Sequence, residues 1–252
     1  MSKVVLIIGC GLLSFIWFLV TSWPDERLHV TMCDVGQGDA LVISLRSAQI
    51  VVDTGRNIDK LSRCLSEAVP FWDKTIETVV ISHSDSDHDG ALDGLKQRYR
   101  VEQVLDGLAL GLGDRVRLGK AEMEVWSGGG GRVEENEDSL VMRLTYGDFT
   151  MMFTGDMGTE EELAIMSQRV ITPVTVLKVA HHGSKNSNNQ RWLEALKPRL
   201  ALISVGDKNS YGHPNPEVLR YFEILGSIVK RTDKDGRVEV VTDGESWKIN
   251  GR

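Results

Sequence analysis

The sequence predicts an α/β (α+β) fold in which two strand-rich sheets are covered by helices, with one N-terminal transmembrane helix in front. Three observations predict it. Residues 4–20 are an unbroken, uncharged apolar run. From Leu28 short apolar stretches are separated by Gly and Asp turns, the pattern of strands. From residue 160 strand-like and helix-like stretches alternate. No long linker divides the chain after Leu28, so residues 1–24 read as a membrane anchor or uncleaved signal segment and 25–252 as one domain.

The apolar run lies near the lower limit of the ~17–25 residues that cross a bilayer. Lys3 precedes it and Pro24-Asp25-Glu26 follow, so the start stays in the cytoplasm and the bulk of the chain is exported, to periplasm or exterior. Trp17 and Trp23 suit the outer interfacial zone. A cleaved signal peptide shares these features, but no small-x-small cleavage site precedes Trp23. Ile7-Ile8-Gly9-Cys10 resembles a lipoprotein processing site with too short a leader. The uncleaved anchor is the preferred reading.

Strands are expected at 28–32, 40–45 and 50–52. Ile58, Leu61, Leu65 and Ala68 give 57–68 helical spacing. A buried strand at 75–81 and a helix at 91–99 come next, then strands at 101–105, 115–118, 121–126, 139–145 and 149–153. Helices at 160–167, 190–196 and 217–225 alternate with strands at 174–179 and 200–205, and strands at 228–230, 238–241 and 247–249 close the chain. Gly128 to Gly131, followed by acids to Asp138, read as a flexible insertion; no helix start follows to make a phosphate cradle.

Apolar residues make up 41% of the chain and charged residues 26%, so disorder is excluded as the default. The net charge of −7 weakens nucleic acid as a partner, because phosphate-gripping proteins usually present a basic surface. A local basic groove or bound cations would offset that sign, so nucleic acid stays open. Cys10, Cys33 and Cys64 form no Cys-x-x-Cys pair and read as buried small hydrophobes; a Cys33–Cys64 bridge is open in an oxidising compartment.

The chemistry concentrates in Ser82-His83-Ser84-Asp85-Ser86-Asp87-His88-Asp89-Gly90, between a buried strand and a helix. His83 and Asp85, two apart in extended chain, point to the same side. Asp87 and His88 come into reach as the chain turns. Two imidazoles and two carboxylates in six positions would repel and desolvate one another; a divalent cation turns them into ligands. A plain helix cap would account for Asp87 or Asp89, but not for the interleaved histidines. Asp156 ends an apolar strand, as do His181 and His182, and His213 follows another after a short loop. Five of the six histidines thus lie just beyond strand ends; His29 is the structural exception.

These segments resemble the metallo-β-lactamase superfamily, whose signature is His-x-His-x-Asp-His after a strand. They look most like the branch found as the C-terminal hydrolase domain of ComEC-type DNA-uptake competence proteins, which has Asp where Asp85 stands. Asp34-Val35-Gly36-Gln37-Gly38-Asp39-Ala40, Val52-Asp53-Thr54-Gly55, Thr154-Gly155-Asp156, His181-His182-Gly183-Ser184 and Tyr211-Gly212-His213-Pro214 match as well. The resemblance spans residues 28–241 and implies a four-layer αββα sandwich with one or two divalent metal ions, Zn or Mn, at the edge between the sheets. It implies that His83 and Asp85 hold the first metal and Asp87 and His88 the second. Asp156 would bridge them, and one of His181 and His182, with His182 preferred, would complete the second site. Asp53 would orient the loop as a buried group. The superfamily usually supplies another His before the bridging Asp, and none lies between His88 and His181. The first site would then be short of a ligand, and Asp85 would make it harder, favouring Mn²⁺ beside Zn²⁺. Nothing here resembles the competence protein's membrane channel.

The expected reaction is hydrolysis. A divalent metal lowers the pKa of bound water from ~15.7 to about 7, on the order of 12 kcal/mol of help in forming hydroxide. Hydroxide on the metals would attack phosphorus or carbonyl carbon, with Asp87 as ligand and proton acceptor. His181 or His213 would stabilise the oxyanion or protonate the leaving group. A phosphodiester, DNA included, is the first expectation for substrate. Amide, lactone or thioester hydrolysis is the rival reaction, and a membrane-anchored binding module with a decayed site the rival role.

Overall fold

The structure is a computed structural model that describes residues 24–128 and 139–250. The expected anchor, apart from Pro24, and the insertion after Gly128 lie outside the described residues. Among the described residues no helix is long and apolar enough to cross a membrane.

The chain runs β1 (Leu28–Met32), β2 (Leu41–Leu45), β3 (Ala48–Val52), α1 (Ile58–Ala68), β4 (Thr75–Val80), α2 (Leu92–Arg98), β5 (Arg100–Leu105), β6 (Arg115–Leu118), β7 (Ala121–Ser127), β8 (Val141–Tyr146) and β9 (Phe149–Phe153). Then come α3 (Thr159–Gln168), β10 (Val176–Lys178), a 3-10 turn (Ala180–Gly183), α4 (Gln190–Leu196), β11 (Leu200–Ile203), α5 (Pro216–Leu225), β12 (Ile228–Arg231), α6 (Thr232–Asp235), β13 (Val238–Thr242) and β14 (Trp247–Asn250).

Two mixed sheets result, ordered β14-β13-β1-β2-β3-β4-β5 and β12-β11-β10-β9-β8-β7-β6. Successive strand side chains take opposite faces, and here both faces are covered. Leu41, Ile43, Ile50 and Val52 point into the core between the sheets. Val42 and Val51, one residue out of phase, pack outward with Leu61 and Leu65 of α1 and Leu95 of α2. On the far side Trp192, Leu193 and Leu196 of α4 and Phe222 of α5 cover Leu177, Ala201 and Ile203. Three apolar layers between four layers of backbone make the αββα sandwich.

Two of the expected strands that come out shorter at one end do so because their backbone groups find other partners. The strand expected at 200–205 ends at Ile203 because Ser204 and Val205 turn their backbone groups to other partners: Ser204 O accepts from His182, and Val205 N donates to Thr232 Oγ1 (2.7 Å). The strand expected at 139–145 starts at Val141, after Leu140 N has reached across to Ser82 O (2.9 Å). These strands give up ladder bonds at the rim where the histidines lie.

Cys33 and Cys64 are buried as expected, but they are joined in a disulfide with a sequence separation of 31. It ties the end of β1 to α1. Closing a loop of this length restricts the unfolded chain, which is worth about 2–4 kcal/mol. Cys64→Ser is expected to lose that amount in urea unfolding without reductant, and to lose almost nothing further when reductant is added.

His29 is structural, as expected. It sits in β1 with Nδ1 at 2.8 Å from Glu239 and Nε2 at 2.9 Å from Asp25. Burial opposes its charged form, but Glu239 and Asp25 together raise it above the ordinary imidazole value. The stabilisation is therefore fully present below the unfolded-state value and is lost as pH rises through the folded one. His29→Asn should cost about 1 kcal/mol at pH 6 and clearly less at pH 9, measured by urea unfolding at both.

Candidate metal centre

The site is built where β4, β9, β10 and β11 end at one rim of the sandwich. After β4, Ser82 N and Oγ donate to the two carboxylate oxygens of Asp53 (2.7 and 2.8 Å), and His88 Nδ1 lies 2.9 Å from Asp53 Oδ2. An ionised carboxylate only accepts, so Nδ1 of His88 carries the proton and Nε2 is left as a donor atom. His182 is fixed in the same sense, its Nδ1 donating to Ser204 O at 2.8 Å.

The turn bearing His181 and His182 is strained: both have left-handed φ, 47° and 54°, a conformation costing about 1–3 kcal/mol for each such residue. Three contacts hold it. Asn188 Nδ2 donates to Ala180 O and Ser184 O (3.0 and 3.2 Å), and His181 N donates to Gly155 O (3.1 Å). Glu162 of α3 in turn accepts from the backbone N–H groups of Asn188 and Asn189 (2.6 and 2.7 Å). Gly183 completes the turn at φ 84°, where a Cβ would meet the Pro214 Cβ at 2.5 Å.

Asp156 lies between the histidines. Its Oδ1 is 3.3 Å from His88 Nε2, and its Oδ2 is 3.6 Å from His182 Nε2 and 3.8 Å from His181 Nε2. Asp87 Oδ2 is 3.5 Å from His182 Nε2. The nitrogens His83 Nε2, His88 Nε2 and His182 Nε2 and the oxygen Asp156 Oδ1 are all buried without a hydrogen-bond partner. Orphaned buried polar atoms are costly, and these four are nitrogen and oxygen donors of the kinds that could hold a divalent cation. Two groups have ligand atoms within 4.8 Å of one another: His83, His88 and Asp156, and Asp87, His88 and His182. Two further groups of that kind contain Asp39.

The electrostatics agree. Burial disfavours a charged His182, yet Asp156 and Asp39 outweigh it and lift the imidazole to about 9. Burial likewise opposes the charge on Asp156, but His182 and His88 hold it well below the usual carboxylate range. Without a cation the imidazolium ions neutralise the acids. With one, those protons must leave, so binding releases protons and strengthens as pH rises.

The expected site residues do not all converge. His83, Asp87, His88, Asp156 and His182 do. Asp85 comes within 3.6 Å of His83 Nε2 but enters none of the donor groups. Of the histidine pair, His182 is buried and His181 stands at the rim, its ring 5.7 Å from that of His213, on which Tyr211 stacks. Burial, with His181 and His182 nearby, pushes His213 below the ordinary value. Sequence reasoning missed Lys178 and the placement of Asp39, which form a buried ion pair beneath the site. The signal was present: a lysine inside the apolar run 176–180 needs a buried partner.

Residues 33–125 match the family model of the metallo-beta-lactamase superfamily. The chain is 26% identical over 277 residues to ComE operon protein 3 of Bacillus subtilis, covering 93% of this chain and 36% of that protein. It is 26% identical over 246 residues to Recombination protein 2 of Haemophilus influenzae, covering 92% of this chain and 31% of that one. The chain thus spans about a third of the length of these relatives. In fold it resembles the metallo-beta-lactamase fold protein YhfI of Bacillus subtilis (TM-score 0.58, 10% identity, 84% of this chain and 99% of that one). It also resembles a diphosphatase from the PhnP family (TM-score 0.51, 14% identity, 85% and 98%). These last two likenesses concern the fold alone. The chain therefore matches the metallo-beta-lactamase superfamily over residues 33–125 and is similar along about nine-tenths of its length to a segment of ComE operon protein 3 and of Recombination protein 2.

Proposed function

We propose that the chain is a metal-dependent phosphodiesterase acting outside the cytoplasm, with DNA among its candidate substrates. One observation carries the reading: Asp156 turns one oxygen toward His88 and the other toward His182, with orphaned imidazole nitrogens on both sides. A carboxylate so flanked suits two cations, and paired cations suit in-line displacement at phosphorus. His83 and Asp85 would serve one ion, Asp87, His88 and His182 the other, and Asp156 both. Zn²⁺ and Mn²⁺ match this mixture of nitrogen and oxygen donors. When bound, such ions acidify water and neutralise charge on the phosphoryl oxygens. The protein's own part is to hold the imidazoles in one tautomer through Asp53 and Ser204, and to offer His181 and His213 at the rim for proton transfer to the leaving group.

The Cys33–Cys64 disulfide supports placement in an oxidising compartment, with the apolar segment at 1–24 as membrane anchor. The test uses the full chain with Zn²⁺ or Mn²⁺, assayed on bis-p-nitrophenyl phosphate and on nitrocefin. Metal-dependent turnover of the phosphodiester supports the proposal, and single-stranded DNA follows. Metal bound without phosphodiester turnover sinks it, and nitrocefin cleavage would put carbonyl hydrolysis in its place.

A further inference from the structure

The donor geometry leaves a question about Asp39: its carboxylate belongs to two groups able to hold a cation, one with Asp53 and His88, the other with Asp156 and His182. Its surroundings answer it. Asp39 and Lys178 are each 1% exposed, and the Lys178 ammonium is in direct contact with Asp39 Oδ2. Lys178 Nζ also donates to Gly155 O (3.3 Å), next to Asp156. Asp39 is held from behind as well. Its N–H donates to Asp87 O (3.0 Å), and Ser204 Oγ donates to Gly38 O (2.6 Å). Gly38 has φ 119° and no room for a Cβ, which would meet Asp87 O at 2.1 Å, so the loop lies hard against the metal-site backbone.

Asp39 faces the protonated side of both imidazoles. Its Oδ1 is 3.4 Å from His182 Nδ1 and its Oδ2 is 3.9 Å from His88 Nδ1. Both Nδ1 atoms already donate, to Ser204 O and to Asp53. Oδ1 of Asp39 has no hydrogen-bond partner, but a cation there would lie against the Lys178 ammonium and would have to take up a nitrogen whose lone pair is occupied by a proton.

We propose that Lys178 is a fixed internal cation that reserves Asp39 as a positioning group: it excludes metal from Asp39 and keeps that negative charge on the Nδ1 side of His88 and His182, so that both Nε2 atoms face the metals. The inference rests on the metal reading of the site, but not on the phosphodiester reading. A buried carboxylate deprived of its partner is strongly destabilising, so Lys178→Met alone would confuse folding with binding. Asp39→Asn keeps the shape and an oxygen for the ammonium. Asp39→Asn with Lys178→Met removes both charges together.

The test is titration of the metal-free full chain and both variants with Zn²⁺, and with Co²⁺ followed by visible absorption. Each variant that melts cooperatively should bind as many ions as the wild type, with an unchanged Co²⁺ spectrum because no ligand has been lost. Affinity should fall by about 10–100-fold, the range for losing an outer partner of a ligating histidine. Affinities within twofold of the wild type would overturn the positioning role. Loss of a whole equivalent of metal, or an altered Co²⁺ spectrum, would make Asp39 a ligand and also overturn it. If the double variant does not fold, Asp39→Asn decides alone. A wild type that binds no metal removes this inference together with the metal centre, whereas metal binding without phosphodiester turnover leaves it standing.

Discussion

Asp87→Ala is expected to abolish the metal-dependent phosphodiester hydrolysis proposed for this chain while leaving the fold intact. The two halves of that expectation come from different observations. Asp87 is 19% exposed at its side chain, and its carboxylate lies 3.5 Å from His182 Nε2. Its own charge is favoured first by the His182 imidazole beside it, against some cost of burial, which keeps it below the usual carboxylate value. Removing it takes one oxygen donor from the group it shares with His88 and His182, at little cost in packing. An outer-shell partner of a ligand is worth about 10–100-fold in affinity or activity, so a direct ligand should cost more than about 100-fold in kcat/KM at limiting metal. Metal content after dialysis and turnover of bis-p-nitrophenyl phosphate are the readouts. A variant with full activity and full metal content would remove Asp87 from the site.

The difference between what could be read from the sequence and what could not follows from the range of the interactions. Strands such as Phe149–Phe153 and helices such as Gln190–Leu196 are spelled out by local apolar period, and their bounds match expectation residue for residue. The histidines and aspartates that converge were legible because metal ligands are chemically distinctive and sit at strand ends. The supports of those ligands were not legible. Ser204, Asn188 and Glu162 act over 22, 8 and 26 residues of sequence through backbone groups, and nothing in a serine or an asparagine announces which carbonyl it will meet. Lys178 is the intermediate case. Its position in an apolar strand demands a partner, but Asp39, Asp53, Asp87 and Asp156 each offered one, and only the packing of β10 against the loop of residues 34–40 selects Asp39. The disulfide has the same character: two burial-prone cysteines 31 apart acquire a bond only when α1 folds over the end of β1.

The same logic makes Asp53 a residue whose loss should cost heavily in stability. It is 2% exposed and accepts three contacts, from Ser82 N, Ser82 Oγ and His88 Nδ1. Its backbone is left-handed, φ 57°, a conformation in which Asp is tolerated better than alanine. Asp53→Ala therefore leaves the buried Ser82 N–H without its acceptor, takes the charged acceptor from the Ser82 hydroxyl and the His88 imidazole N–H, and adds backbone strain. Breaking a buried charge–donor network by removing one partner costs about 3–5 kcal/mol. Ser82→Ala, which removes one donor and leaves the carboxylate two others, should cost only about 1 kcal/mol. Asp53→Asn falls between them, since its amide can accept from Ser82 N but must turn an NH₂ group toward Ser82 Oγ and His88. Urea unfolding of the three metal-free variants at pH 7 measures the order directly. If Asp53→Ala were no worse than Ser82→Ala, the carboxylate would not be anchoring this loop, and the fixed tautomer of His88, on which the donor geometry depends, would need another origin.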